Sequence, residues 1–315
     1  AMVGGTKGSH LILDNPPLLD ALGDHMVYFE NTDGRVCIVF PYLGHVLAGS
    51  TDIRVPGAAR VKCEEAERDY ILDSIRLVFP EIAVSAHDVV FSFSGIRPLP
   101  ISEQYFTGRI SRGHSVKRLD GPVPQFCMIG GKWTTFRAFA EQTADAVLGE
   151  LGIGRRTSTR QLPIGGGDGF PAEATAHVDR LVEDLHISGE RAAHLSSHYG
   201  TGADAVNRFC TAQKDDAPLS DGCAYTSGEI LYLLRNEDVE TMADIVLRRT
   251  SLAIEGSISA RIIDAIAGIL GQERELSPAA ITQQRRELVD ELETYFGVSR
   301  NTLTQRSRNR SLECA

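Results

Sequence analysis

Gly130-Gly131-Lys132-Trp133-Thr134-Thr135-Phe136-Arg137 decides how this chain reads. An apolar, strand-like run at 123–129 precedes it, and a helical pattern follows to about residue 151. Two adjacent glycines let a backbone turn tightly and approach a ligand closely. The free N–H groups at the start of the following helix favour an anion or an electron-rich ring edge, and Lys132 adds a full positive charge. A plain strand-to-helix turn carrying a solvated lysine fits the same letters, so the surroundings must discriminate.

Upstream, residues 10–14, 26–30, 35–40 and 43–51 read as short strands, rich in aliphatic and aromatic residues and bounded by Asp, Gly and Pro. Asn31-Thr32-Asp33-Gly34 suits a hairpin turn. Strands this closely spaced pair antiparallel, because parallel pairs need a crossover. From 63 to 79, Ala66, Tyr70, Ile71, Ile75 and Val78 fall on one helical face, and Pro80 stops the helix. Val89, Phe91 and Phe93 alternate with Val90, Ser92 and Ser94 in a strand that delivers Arg97. Pro98 biases Arg97 towards an extended backbone. An arginine so held can point reproducibly into a cleft, although an edge arginine in solvent reads alike. The stretch 101–122, with Arg109, Arg112, His114 and Arg118, reads as a long loop or exposed hairpin whose basic charge either attracts an anion or is simply solvated.

Past Gly152 the composition changes. Residues 154–170 are rich in Gly, Arg, Thr and Ser and read as a linker between a first domain at 1–153 and a helical domain at 171–315. Helical patterns run at 172–186, 190–199, 203–213, 228–248, 257–270 and 278–296, with Pro171 in a first turn and Gly200 as a C-cap. The polar, Arg-rich end from Ser299 reads as mobile. The whole is an α+β chain: a mixed, largely antiparallel sheet domain followed by an all-α domain.

At 315 residues there is room for two cores. Hydrophobic content of 42% and charged content of 23% are ordinary for a globular protein. A net charge of −10 argues against a nucleic-acid surface but leaves room for a local basic pocket. No apolar run reaches the roughly 20 residues a bilayer demands. The cysteines Cys37, Cys63, Cys127, Cys210, Cys223 and Cys314 show neither a CxxC pair nor a zinc spacing, so reduced thiols and no metal are expected.

Four stretches, in order, narrow the reading: Lys7-Gly8-Ser9-His10, Gly49-Ser50-Thr51-Asp52, Ser94-Gly95-Ile96-Arg97-Pro98-Leu99 and the Gly130–Arg137 run. Together they resemble the second half of the FAD-dependent glycerol-3-phosphate dehydrogenases, within the wider flavoprotein group that includes D-amino-acid oxidase. Glu229, Tyr232, Leu233, Glu237, Asp244 and Arg248-Arg249-Thr250 resemble that family's C-terminal domain. The resemblance implies a sheet domain of the FAD-dependent oxidoreductase type, FAD as cofactor, and glycerol 3-phosphate oxidised to dihydroxyacetone phosphate. It further implies a quinone or other electron acceptor, a cytoplasmic location with peripheral contact at the inner face of the cell membrane, and admits a homodimer. It gives catalytic roles to His10 as base, to Arg97 on substrate and to Lys132 near both flavin and substrate. Gly130, Gly131, Lys132, Trp133 and Thr134 would lie along the flavin. His10 at a strand start reads equally as a structural hydrogen-bonder, and Trp133 packs on the flavin or fills core.

That family opens with a strand, a G-x-G-x-x-G turn and a helix. No such unit is read before Lys7, and Gly165-Gly166-Gly167-Asp168-Gly169, bracketed by Pro163 and Pro171, reads as linker. The expectation is the C-terminal part of a larger flavoenzyme that, alone, binds FAD poorly and is inactive. An oxygen-using glycerol-3-phosphate oxidase and a non-catalytic binding remnant are the alternatives. Three further features get structural readings. Thr51-Asp52 either binds ligand or caps a turn; Arg248-Arg249 pair ionically with acidic residues such as Glu229 and Glu237; and His194 and His198, one turn apart, lie on a solvated face.

Overall fold

The computed structural model describes residues 2–102 and 107–313. The chain divides into two compact units, Ala1–Leu162 with Tyr295–Gly297, and Pro163–Thr294 with Val298–Ala315.

The first unit is built on strands β1 (Gly5–Leu13), β2 (Val27–Glu30), β3 (Val36–Tyr42), β4 (His45–Gly49), β5 (Ile53–Val55) and β6 (Val89–Arg97). They form one sheet in the order β2-β3-β4-β1-β5, with β6 also on β1. Every pairing in it is antiparallel. The turn at 31–34 joins β2 to β3: Asn31 N–H donates to Arg35 O at 2.8 Å, and Gly34 takes φ +78°, which glycine adopts without steric cost. β1 is the central strand. It begins at Gly5, so Lys7-Gly8-Ser9-His10 lies inside it and not at its start.

Helix α1 (Pro16–Leu22) has no apolar periodicity long enough to read; Asn15 caps it, its side chain accepting from Leu18 N at 3.0 Å. Helix α2 (Glu65–Val78) buries Ile71, Leu72 and Ile75 against Leu11, Leu13, Val39 and Val46 of the sheet. Beyond β6, the basic stretch supplies β7 (His114–Leu119), paired with β8 (Gln125–Gly130) in a separate hairpin, and α3 (Phe136–Glu150) follows.

The second unit is helical: α4 (Ala174–Leu185), α5 (Gly189–Tyr199), α6 (Ala203–Thr211), α7 (Ser227–Asn236), a single turn α8 (Met242–Asp244), α9 (Ala260–Glu273), α10 (Pro278–Phe296) and α11 (Arg300–Glu313). Four expectations need correction. Residues 228–248 are not one helix: α7 ends at Asn236, and Ile245–Arg249 is π-helical. Pro171 stands ahead of α4 and not in its first turn, because Glu173 is the N-cap. The glycine run is no free linker, since Gly166 O accepts from Thr201 N at 2.9 Å and packs on Gly200. The segment after Ser299 is helix α11, begun by the Ser299 hydroxyl accepting from Thr302 N at 3.0 Å. Cys314 lies outside the described residues.

Candidate functional site

Alternation along β1 sorts the Lys7–His10 run onto two faces of the sheet. Lys7 and Ser9 point to α2, where Glu67 receives them: Lys7 Nζ lies 2.5 Å from Oε2 and Ser9 Oγ donates to Oε1 at 2.8 Å. Thr51 Oγ1 donates to the same oxygen at 2.7 Å and accepts from Ser9 N at 3.0 Å, while Ser94 Oγ bonds Ser9 Oγ at 2.7 Å. Lys7 is 7% exposed and Glu67 4%, so this is a buried ion pair whose spare lone pairs are filled by hydroxyls and by Glu64 N at 3.1 Å. Burial alone would raise the Glu67 carboxyl; the hydrogen bonds from Lys7, Glu64 N, Thr51 and Ser9 outweigh it and hold the group below its ordinary value. Three of the four quoted motifs are thus tied beneath the sheet by one glutamate. Nothing in the sequence marks Glu67 for this role, because its side-chain partners come from β1 and from the segment after β4.

The other face holds Gly8 and His10, beside Gly95 and Phe93 of β6, their register partners. His10 stacks on Phe93 with ring centroids 5.0 Å apart. Burial and the nearby Arg97 push its imidazole down to about 4, so it is neutral at physiological pH. Gly49, opposite His10, leaves room for the ring; a Cβ there would come within 2.3 Å of it. Arg97 ends β6 and crosses Gly8. Its Nη1 donates to Thr51 O at 3.2 Å and Asp52 Oδ1 at 3.1 Å, and its Nη2 to Ser50 Oγ at 3.0 Å. Thr51-Asp52 therefore does more than cap a turn; it anchors the motifs on both sides of the sheet.

His10, Arg97 and Lys132 line a single cavity of about 640 Å³, together with Gly8, Phe93, Gly95, Ile96, Arg112, Gly131, Trp133 and Thr134. Lys132 enters through the Gly130-Gly131 turn, whose φ values of +73° and +103° are left-handed. Gly130 shapes the turn without lining the cavity: a Cβ on it would stand 2.4 Å from Gly113 O. Lys132 N donates to Thr135 Oγ1 at 3.1 Å, which starts the following helix. Trp133 is 89% exposed, so it is not core filler. Arg112, which the sequence left between anion binding and solvation, joins the cavity wall.

In the helical unit the acid Glu229 is 0% exposed and accepts from Arg191, from His194 Nε2 at 2.8 Å and from Tyr199 OH at 3.1 Å. The His194 side chain is consequently only 7% exposed and turned in from the solvated face, whereas His198 is exposed there and stacks on it with ring centroids 4.5 Å apart. Arg249 does pair with Glu237, at 3.0 Å, but Arg248 pairs with Asp244 at 2.9 Å and neither reaches Glu229.

Residues 1–145 match the family described as FAD dependent oxidoreductase, and residues 157–281 match the C-terminal domain of alpha-glycerophosphate oxidase. Glycerol-3-phosphate dehydrogenase of Synechocystis sp. is 31% identical over 260 residues, covering 80% of this chain and 46% of that protein. The chain belongs to the FAD-dependent glycerol-3-phosphate dehydrogenase family. Aerobic glycerol-3-phosphate dehydrogenase of Bacillus subtilis is also 31% identical, over 78% of this chain and 45% of its own length. The crystal structure of glycerol-3-phosphate dehydrogenase from Bacillus halodurans, complexed with FAD, superimposes with a TM-score of 0.73 at 25% identity, over 93% of this chain and 57% of that one. The chain spans about half the length of the curated family members it matches. Among the described residues no helix is long and apolar enough to cross a membrane.

Proposed function

We propose that this chain supplies the substrate-gripping part of a flavin-dependent dehydrogenase that oxidises glycerol 3-phosphate to dihydroxyacetone phosphate. The observation that carries the reading is the meeting of His10, Arg97, Arg112 and Lys132 on one cavity from four separate stretches of chain. Arg97 and Arg112 offer guanidinium forks and Lys132 a mobile ammonium, which suit a phosphate monoester. His10, held neutral, takes the proton from the C2 hydroxyl as hydride departs. Bound FAD would supply the hydride acceptor.

The residues present fit that cofactor. Ile96 and Phe93 give the cavity apolar wall, and nothing lies within 4 Å of where a Cβ on Gly95 would stand, leaving a flat opening for a ring. Gly131, Trp133 and Thr134 would hold its edge, with Lys132 beside the negative charge that reduction creates.

A quinone acceptor, peripheral contact with the inner face of the cell membrane and a homodimer are parts of this proposal that rest on the family resemblance alone. An oxygen-using oxidase is the second reading, favoured by the match of residues 157–281 to an oxidase domain. Peroxide formed in step with substrate consumption, in the flavin-loaded protein, separates the two. The test of the main reading is titration of glycerol 3-phosphate into the unaltered chain and into Arg97→Ala and Lys132→Ala. Saturable binding that each replacement weakens supports it, and binding indifferent to both removes it.

A further inference from the structure

We propose that Asp52 is a positioning residue for the anion-binding end of the cavity, holding Arg97 with one carboxylate oxygen and drawing in Arg112 with the other, so that two guanidinium groups close on one phosphate. This rests on reading the cavity as the binding place of a phosphate monoester.

Asp52 is 6% exposed. Its Oδ1 accepts from Arg97, but its Oδ2, although buried, has no hydrogen-bond partner among the described residues. A buried carboxylate oxygen without a donor is costly. The cation beside it is Arg112, whose Nη2 stands 4.0 Å away: near enough to be attracted, too far to donate. Arg112 is free to close that gap. Its side chain is half exposed, and it borders both the main cavity and a second one of about 340 Å³ lined by Asp52, Ser50, Arg35 and Tyr28. Asp52 itself does not yield, since Thr107 Oγ1 donates to its carbonyl oxygen at 3.1 Å. The moving partner is the arginine.

Charge supports the same assignment. Burial, and the like charge of Arg112, both disfavour the Arg97 cation, while Asp52 opposes them. Two guanidiniums, one ammonium and one carboxylate leave two net positive charges around the cavity, the complement of a phosphate dianion. Without Asp52 the two arginines would repel each other as well as attract the ligand.

The test turns on a sign. Neutralising a carboxylate near an anion should tighten anion binding if simple Coulomb attraction governs. Positioning predicts the reverse. Inorganic phosphate and glycerol 3-phosphate are titrated calorimetrically into the chain, into Asp52→Asn, into Arg112→Ala and into the double variant, with thermal unfolding followed for each. Asp52→Asn, equal in size, is expected to bind both ligands about tenfold more weakly. In the Arg112→Ala background the same change should cost less, because only the hold on Arg97 is then left to lose. Unchanged or tighter phosphate binding by Asp52→Asn overturns the proposal, and so does an equal loss in both backgrounds. Should Asp52→Asn fail to fold, Arg112→Ala decides: unaltered phosphate affinity in it overturns the proposal too. Failure of the unaltered chain to bind either ligand removes instead the reading beneath it.

Discussion

The guanidinium of Arg97 lies directly over the α-carbon of Gly8, so closely that a Cβ on Gly8 would stand 2.1 Å from Nη2. The two residues sit on neighbouring strands, two positions out of register: Gly8 faces Gly95, and Arg97 faces Thr6. A glycine inside a central strand is otherwise a liability. Here it gives the arginine a floor.

Gly8→Ala is therefore expected to displace Arg97 while sparing the fold, because the colliding group is the far end of a flexible side chain. Phosphate affinity should fall about tenfold, with unfolding free energy changed by less than about 1 kcal/mol. Calorimetric titration beside chemical denaturation checks both halves. Loss of stability without loss of affinity would contradict the geometry.

His10 should titrate near 4 and not near 6.5, through burial first and Arg97 second. The folded value lies below the unfolded one, so the unfolded chain binds the extra proton between them. Stability is then complete above about 6.5 and declines as pH falls towards 4, by up to about 3 kcal/mol. NMR titration of the imidazole gives the value directly, and His10→Asn should flatten that part of the stability profile. A midpoint at 6 or above in the folded chain would refute the burial argument.

Gly49→Ala should push the His10 ring off Phe93, since the new methyl would meet the ring at 2.3 Å. The ring sits between strands and has little room to give. A stability loss of about 2 kcal/mol is expected, as for other overpacked sites. The His10 ring resonances should also lose the upfield shift that Phe93 stacking imposes, and unchanged shifts would count against the stacked geometry.

Replacing Lys7 by Ala leaves Glu67 buried and unpaired, which costs about 3–5 kcal/mol. Two hydroxyl donors and a backbone N–H remain on Glu67, so the lower figure is expected. Denaturant midpoints at pH 7 measure it. The carboxyl's depressed value means that its contribution is present above the unfolded pKa of about 4.5 and fades as pH falls below it, so Lys7→Ala and the unaltered chain should converge in acid.

Glu229 has the same character in the helical unit. Its burial is outweighed by His194 and Arg191, and the carboxyl stays below its ordinary value. Glu229→Ala should destabilise that unit by about 3–5 kcal/mol, stranding Arg191 and His194. Hydrogen exchange resolved by residue should place the loss in α5 and α7. Exchange there at the unaltered rate would argue against the pairing.

Much of the architecture was legible because its causes are local. The turn at 31–34 needed only its own four residues, α2 only one apolar face and a stopping proline, and β6 only the alternation from Val89 to Ser94. Errors came where the local signal was short or ambiguous. α1 spans two turns and opens on two prolines, so its cap and not its periodicity makes it a helix. The π-helical turn at Ile245–Arg249 breaks a pattern that hydrophobic spacing alone runs through. His194 and His198 have the spacing of a solvated pair, and only an acid on another helix draws one of them inside.

The site divides the same way. That His10, Arg97 and Lys132 carry chemistry was readable from residue types beside glycines and a proline, since backbone freedom and rigidity are written in single letters. Which faces they share was not. Glu67 under the sheet, Asp52 between two arginines and Gly8 beneath a guanidinium acquire their roles from partners 40 to 60 positions away or on another strand. Only closure of the sheet chooses those partners, because burial sets the strength of a charge and burial belongs to the folded chain.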